Sequence, residues 1–199
     1  MTVSTPTGIR PADAADAATV AFLLNEAASG FAIALWRGAA APGENPWAIG
    51  AARMVTRMAD AAVRVIDGPQ GRAAAPEAAM IGYPIPAATE PGPDLPPAFL
   101  PLTELENLSA PSWYINALGV QPEARGRGLG ARLLAEADAL ARAAELDAVS
   151  LIASDVNVGA IRLYERNGFE VVASRPKVGF EGWTPEGRDW LLMLRRGLG

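Results

Sequence analysis

The chain of 199 residues has no cysteine and no histidine. Those absences exclude disulfides, cysteine nucleophiles, Ser-His-Asp triads and any metal site built on imidazole or thiolate. Acid–base chemistry must come from Asp, Glu, Lys, Tyr, a terminal amine or ordered water, and no metal is expected. A basic surplus is missing as well. The formal net charge of -5 opposes nucleic acid or an anionic membrane as partner and mildly favours a cationic substrate. Long apolar runs are lacking too, because the tract from Ala18 to Trp36 is broken by Asn25-Glu26 and Ser29-Gly30 and is a poor membrane span. The start, MTVSTPTGIRPADAADAA, has no charged segment followed by an apolar one, so no signal peptide and a cytoplasmic location are expected.

What is present is ordinary globular composition, with 50% hydrophobic and 20% charged residues. The length suits one domain, residues 1–199, with a sizeable core. Thr7 to Arg10 reads as a first strand. Pro11 and Asp13 open a helix, and Asp13-Ala-Ala-Asp16 has capping-box spacing. Phe31 to Arg37 continues as a second helix. Asn45-Pro46 reads as an N-cap with proline at the first helical position, starting a helix whose face carries Trp47, Ala51, Met54, Val55 and Met58. Ala62 to Asp67 and Ala78 to Pro84 read as strands.

Nine of the seventeen prolines fall between Pro76 and Pro111. Regular structure cannot persist from Tyr83 to Pro101, which reads as a long surface excursion before a short helix from Leu102 to Leu108. Beyond it the pattern is cleaner. Trp113 to Val120 is a strand. Leu129 to Ala144 is a helix with Leu129, Leu133, Leu134, Ala137, Leu140, Ala141 and Ala144 inward. Ala148 to Ala153 is a strand, Val158 to Asn167 a helix, and Phe169 to Ser174 and Asp189 to Arg195 are strands. That order predicts an α/β layer structure.

Between the strand ending at Val120 and the helix from Leu129 lies QPEARGRGLG, from Gln121 to Gly130. Unpaired N–H groups and the dipole make a helix start attractive to anions. Gly126, Gly128 and Gly130 let the backbone curl round a ligand, and Arg125 and Arg127 add charge. The loop is therefore expected to hold a phosphate or pyrophosphate. Gly126-Arg-Gly128-Leu-Gly130-Ala131 also fits the dinucleotide fingerprint. For that fingerprint, however, Gln121 to Arg125 intervene after the strand, and Asp155 comes about nine residues later than its usual spacing of roughly twenty.

Arg125-Gly-Arg-Gly128-Leu-Gly130 resembles the R/Q-x-x-G-x-G/A loop of the GNAT superfamily, the acyl-CoA-dependent N-acetyltransferases. Asn157-Val-Gly-Ala160-Ile-Arg-Leu-Tyr164-Glu-Arg-Asn-Gly168-Phe169 resembles that family's second signature. The resemblance covers Trp113 to Val172 well. It implies an α/β (α+β) fold whose mixed, mostly antiparallel central sheet has six to seven strands, flanked by helices, with two splayed central strands. Acetyl-CoA is the implied cosubstrate, and an unidentified amine the implied acceptor, attacking directly. A homodimer is one expected assembly.

By the same resemblance, the backbone of Leu118, Gly119 and Val120 would pair with the pantetheine arm, and the Leu118 N–H would face the thioester oxygen. The N–H groups from Arg125 through Gly126, Arg127, Gly128, Leu129 and Gly130 to Ala131 would hold the pyrophosphate. Asn157 would hold the CoA arm or the start of its helix. Tyr164 would act as general acid toward the leaving thiolate. Some relatives carry a base early in the strand before the loop, where this chain has Ser112; Glu106, Glu104, or a water positioned by Asn116 are the candidates here. A catalytically silent acyl-CoA-binding module of the same fold is the alternative, and a dinucleotide-dependent oxidoreductase a more distant one.

Overall fold

A computed structural model describes residues 8–198. Seven strands form one sheet in the order β1-β2-β3-β4-β5-β7-β6. In chain order these are Ile9–Pro11, Ala62–Ile66, Ala78–Ile85, Ser112–Val120, Ala148–Ser154, Glu170–Pro176 and Asp189–Arg196. The helices α1 to α6 are Ala17–Ala27, Phe31–Ala39, Pro46–Asp60, Leu100–Ser109, Leu129–Ala143 and Val158–Arg166. β1 with β2, β5 with β7 and β6 with β7 are antiparallel, whereas β4 runs parallel to β5. Their parallel ladder joins only Trp113–Ile115 to Val149–Leu151. β4 continues five residues beyond that ladder, to Val120.

The chain divides into two compact units. One comprises the residues up to Ile81 together with Ala117–Leu133, the other Gly82–Asn116 together with the residues from Leu134 onward.

In the first unit the expected cap at Asp13 is present. Its carboxylate accepts from the Ala15 N–H at 3.0 Å, and Asp16 reaches back to the Asp13 N–H at 2.9 Å. Asp16 has a second duty. The Arg10 guanidinium bridges it at 2.7 Å to Asp67 at 2.6 Å, tying the start of α1 to β1 and the end of β2. The Arg10 hydrogen bond holds the Asp16 carboxyl below its usual range, and the two carboxylates raise Arg10. The apolar tract beginning at Ala18 becomes α1 and α2, bent by 119° at Ala28–Gly30. Val20, Leu23, Ile33 and Trp36 from this pair pack with Met54, Val65 and Ile81. No single helix among the described residues is long and apolar enough to cross a membrane. The Trp36 ring lies across Gly50, where a Cβ would come within 2.5 Å of it. Trp47 meets Trp36 edge-on at 5.7 Å. The predicted face of α3 is only partly inward, since Met54 is buried but Val55 is 47% exposed. The first strand starts at Ile9, and Thr7 lies outside the described residues.

In the second unit α4 begins at Leu100, two residues earlier than expected, because Pro101 occupies the first turn, where its missing N–H costs nothing. The helix lies against β5, β6 and β7. Leu134, Ala137 and Ala141 of α5 are buried as predicted, while Ala144 falls beyond the helix end and is exposed. The segment before β7 is tied down by Lys177. Its ammonium donates to Ser154 Oγ at 2.7 Å, to Asp155 at 2.9 Å and to the Glu186 carbonyl, and lies 5.0 Å from the Trp190 ring centre.

Candidate functional site

The glycine-rich loop from Gln121 to Gly130 lies in the first unit. β4 ends as the Gln121 N–H donates to the Glu77 carbonyl at 2.8 Å, and Pro122–Ala124 makes one 3-10 turn. Gly126 and Gly128 then take φ of 75° and 78°, a region costly for any residue with a Cβ. At both positions a Cβ would meet nothing within 4 Å, so the space beside the turn there is open. The Gly128 carbonyl accepts the first bond of α5, from the Arg132 N–H at 3.1 Å. The N–H groups of Leu129, Gly130 and Ala131 therefore precede the helical ladder. Those of Gly126, Arg127 and Gly128 meet no backbone acceptor among the described residues. Up to six donors are gathered at the positive end of a 15-residue helix.

The two arginines are engaged with the protein instead. Arg125 Nε donates to the Val120 carbonyl at 3.3 Å, and Arg127 pairs with Glu77 at 2.8 Å. Leu118, Gly119 and Val120, immediately before the loop, are half-buried. Gly119 is pressed against α1, where the Leu23 carbonyl leaves no room for a side chain.

The second signature lies in the other unit, and most of it has a local structural reason. Asn157 caps α6, its Oδ1 accepting from the Ala160 N–H at 3.2 Å. Gly168, at φ 81°, lets the chain leave the helix while its own N–H and that of Phe169 satisfy the carbonyls of Glu165 and Tyr164. Phe169 is then buried against Tyr164, with ring centres 6.0 Å apart. Tyr164 is the residue such packing does not fully explain. It is buried, and burial pushes its hydroxyl up to about 12. At neutral pH it is a phenol with its proton in place.

The carboxylate candidates separate. Glu104 is committed to an ion pair with Arg175. Ser112 is sealed in a chain of hydroxyls, 2.7 Å from Ser150 and 3.1 Å from Ser109. Glu106 lies on another side of α4, where its carboxylate accepts from the Tyr83 hydroxyl at 3.3 Å. The Tyr114 ring meets the Tyr83 ring edge to face, with centres 5.4 Å apart. Burial, followed by the nearby Glu106 charge, raises the Tyr114 hydroxyl well above its ordinary value. Tyr83 and Tyr114 were not singled out from sequence. The available signal was period two: Tyr114 and Asn116 share one face of β4.

Asp155, the acid a dinucleotide site would use, is occupied otherwise. Burial alone would raise it, but Lys177 and the N–H groups of Arg188 and Asp189, at 2.9 and 3.0 Å, bring it down to about 2. No group of three or more acidic residues that could hold a metal occurs among the described residues.

Residues 96–169 match the model of the acetyltransferase (GNAT) family. A stretch of 66 residues is 39% identical to mycothiol acetyltransferase of Thermobispora bispora; it covers 33% of this chain but only 22% of that protein. The fold is similar to that of an N-acetyltransferase from Staphylococcus aureus, with a TM-score of 0.64 and 15% identity over 98% of this chain and 100% of the other. It is also similar to a phosphinothricin acetyltransferase from Sinorhizobium meliloti in complex with acetyl-CoA, with a TM-score of 0.63 and 19% identity over 97% and 89%. Residues 96–169, which span the glycine-rich loop and the second signature, are thus similar to the acetyltransferase (GNAT) family, and the fold is like that of these acetyltransferases.

Proposed function

We propose that the protein transfers an acetyl group from acetyl-CoA to an amine. The observation that carries this reading is the open turn at Gly126 and Gly128 at the head of α5, whose N–H groups suit a pyrophosphate. The similar Sinorhizobium structure holds acetyl-CoA. The backbone from Leu118 to Val120 and the N–H groups from Gly126 to Ala131 would bind this cosubstrate, with Asn157 touching its arm; the Arg125 N–H, expected among these donors, instead donates to the Pro122 carbonyl at 3.3 Å. When bound, acetyl-CoA supplies an activated thioester.

The Leu118 N–H is assigned to the thioester oxygen, where a fixed donor lowers the barrier as negative charge develops. Tyr164 Oη donates to the departing sulfur. A phenol at about 12 lies roughly three and a half decades above a free thiol near 8.5, so Tyr164 stabilises the thiolate chiefly as a hydrogen-bond donor. Glu106, or a water held by Asn116, takes the proton that the amine releases. The absence of a carboxylate at Ser112 favours one competing reading, a module that binds acyl-CoA without transferring it.

Thermal melts with CoA, acetyl-CoA and NAD test the assignment. A hundredfold excess over the dissociation constant adds about 2.7 kcal/mol to the native state. A rise with both CoA species and none with NAD is expected. No rise with CoA would remove the main support for the reading.

A further inference from the structure

We propose that Glu106, Tyr83, Tyr114 and Asn116 form a recognition site for an ammonium group, and that the acceptor is an amine whose molecule carries no carboxylate near that nitrogen. The proposal deepens the acetyltransferase reading and rests on it.

All four residues belong to the second unit. α4 brings Glu106 to the end of β3 and to one face of β4. The Tyr83 hydroxyl donates to Glu106 Oε2 at 3.3 Å. Tyr114 is close enough to the same carboxylate to feel its charge, and Asn116 shares its face of β4. The two phenol rings meet edge to face, with centres 5.4 Å apart and planes at 61°. A carboxylate attracts a cationic donor, and nearby phenol rings add to that attraction.

Placement argues against a cluster that merely fastens α4 to the sheet. Leu105 and the hydroxyl chain of Ser109, Ser112 and Ser150 already do that, and all of them are fully buried. Tyr83, Glu106 and Asn116 stay half-buried, within reach of a ligand. Only Tyr114 is enclosed. An acceptor with a carboxylate beside its amine would bring a second anion close to Glu106, and like charges so placed discriminate against it.

The test compares two pairs that share a skeleton, tyramine with tyrosine and histamine with histidine, at saturating acetyl-CoA. Released CoA thiol is read with a disulfide reagent, which finds no background in a chain without cysteine. At least a tenfold higher kcat/KM for the decarboxylated member of each pair is expected. Glu106→Gln should raise KM for the amine at least tenfold and collapse that preference, while leaving the melting-point rise with CoA unchanged. Tyr83→Phe should act in the same direction, more weakly.

Equal or inverted use within the pairs overturns the proposal, as does a preference that survives Glu106→Gln. CoA binding with none of the four amines turned over, and none raising the melting point, also overturns it while sparing the CoA assignment. Failure of CoA to bind removes both readings together.

Discussion

The carbonyl oxygen of Leu23 lies 2.8 Å from the point where a Cβ on Gly119 would sit, and the Leu23 Cβ lies 2.9 Å from it. Helix α1 and strand β4 are in backbone contact there, one residue past the N–H assigned to the thioester oxygen. Because a neighbouring atom is main chain, the clash cannot be relieved by a rotamer change. Gly119→Val should cost about 1–3 kcal/mol of stability, the usual range for overpacking, measured by urea melts. The melting-point rise with CoA should shrink as well. Full stability in that variant would show that α1 moves freely over β4.

Gly128→Glu should behave differently. Open space surrounds that position, so the fold should survive with a loss of roughly 1–2 kcal/mol from the left-handed φ of 78°. Negative charge and bulk would occupy the anion site. The expected result is a folded protein by circular dichroism whose melting point no longer responds to CoA. An unaltered response would refute placement of the pyrophosphate there.

Tyr164→Phe separates binding from chemistry. Removing a positioned proton donor typically costs 10²–10⁴-fold in rate, so kcat should fall by about that factor. The CoA melting shift should stay as it was. A hydroxyl near 12 keeps its proton through neutral and mildly alkaline pH. Loss of that proton should therefore depress kcat of the native protein only above about pH 11. Unchanged turnover in Tyr164→Phe would assign the donor role elsewhere.

Asp155 sets an acid limit on the second unit. Its folded-state pKa of about 2 lies below the ordinary value of 3.8, despite burial, because Lys177 and two backbone N–H groups favour the anion. A depressed carboxyl pKa contributes stability that is fully present above the unfolded value and is lost as pH falls toward the folded one. The loss should fall between about pH 4 and pH 2. Urea melts through that window should show a shallower decline for Asp155→Asn than for the native chain, with lower stability at neutral pH. Parallel curves would mean that the contacts of Asp155 are energetically idle.

Local chemistry written in short stretches was legible in the sequence alone. The cap at Asp13, the Asn45-Pro46 helix start, the Gly126–Gly128 turn and the Asn157 cap each depend on a few neighbouring residues and their backbone preferences, so composition and spacing determine them. The family signatures belong to the same class, because Gly168 and Phe169 end their helix by local rules. The missing cysteine and histidine likewise settle which nucleophiles and metal sites the chain cannot build.

What only tertiary structure decided involves partners far apart along the chain. Glu104 and Glu106 are indistinguishable by sequence, but packing sends one to Arg175, 71 positions away, and the other to Tyr83. Arg127 looked like a ligand group and is paired with Glu77, 50 positions earlier. Asp155 ends its strand too late for a ribose anchor by sequence, but only the fold shows that it holds the segment before β7. A charged side chain takes the counter-charge or donor that the fold brings nearest, and sequence spacing carries no record of that distance.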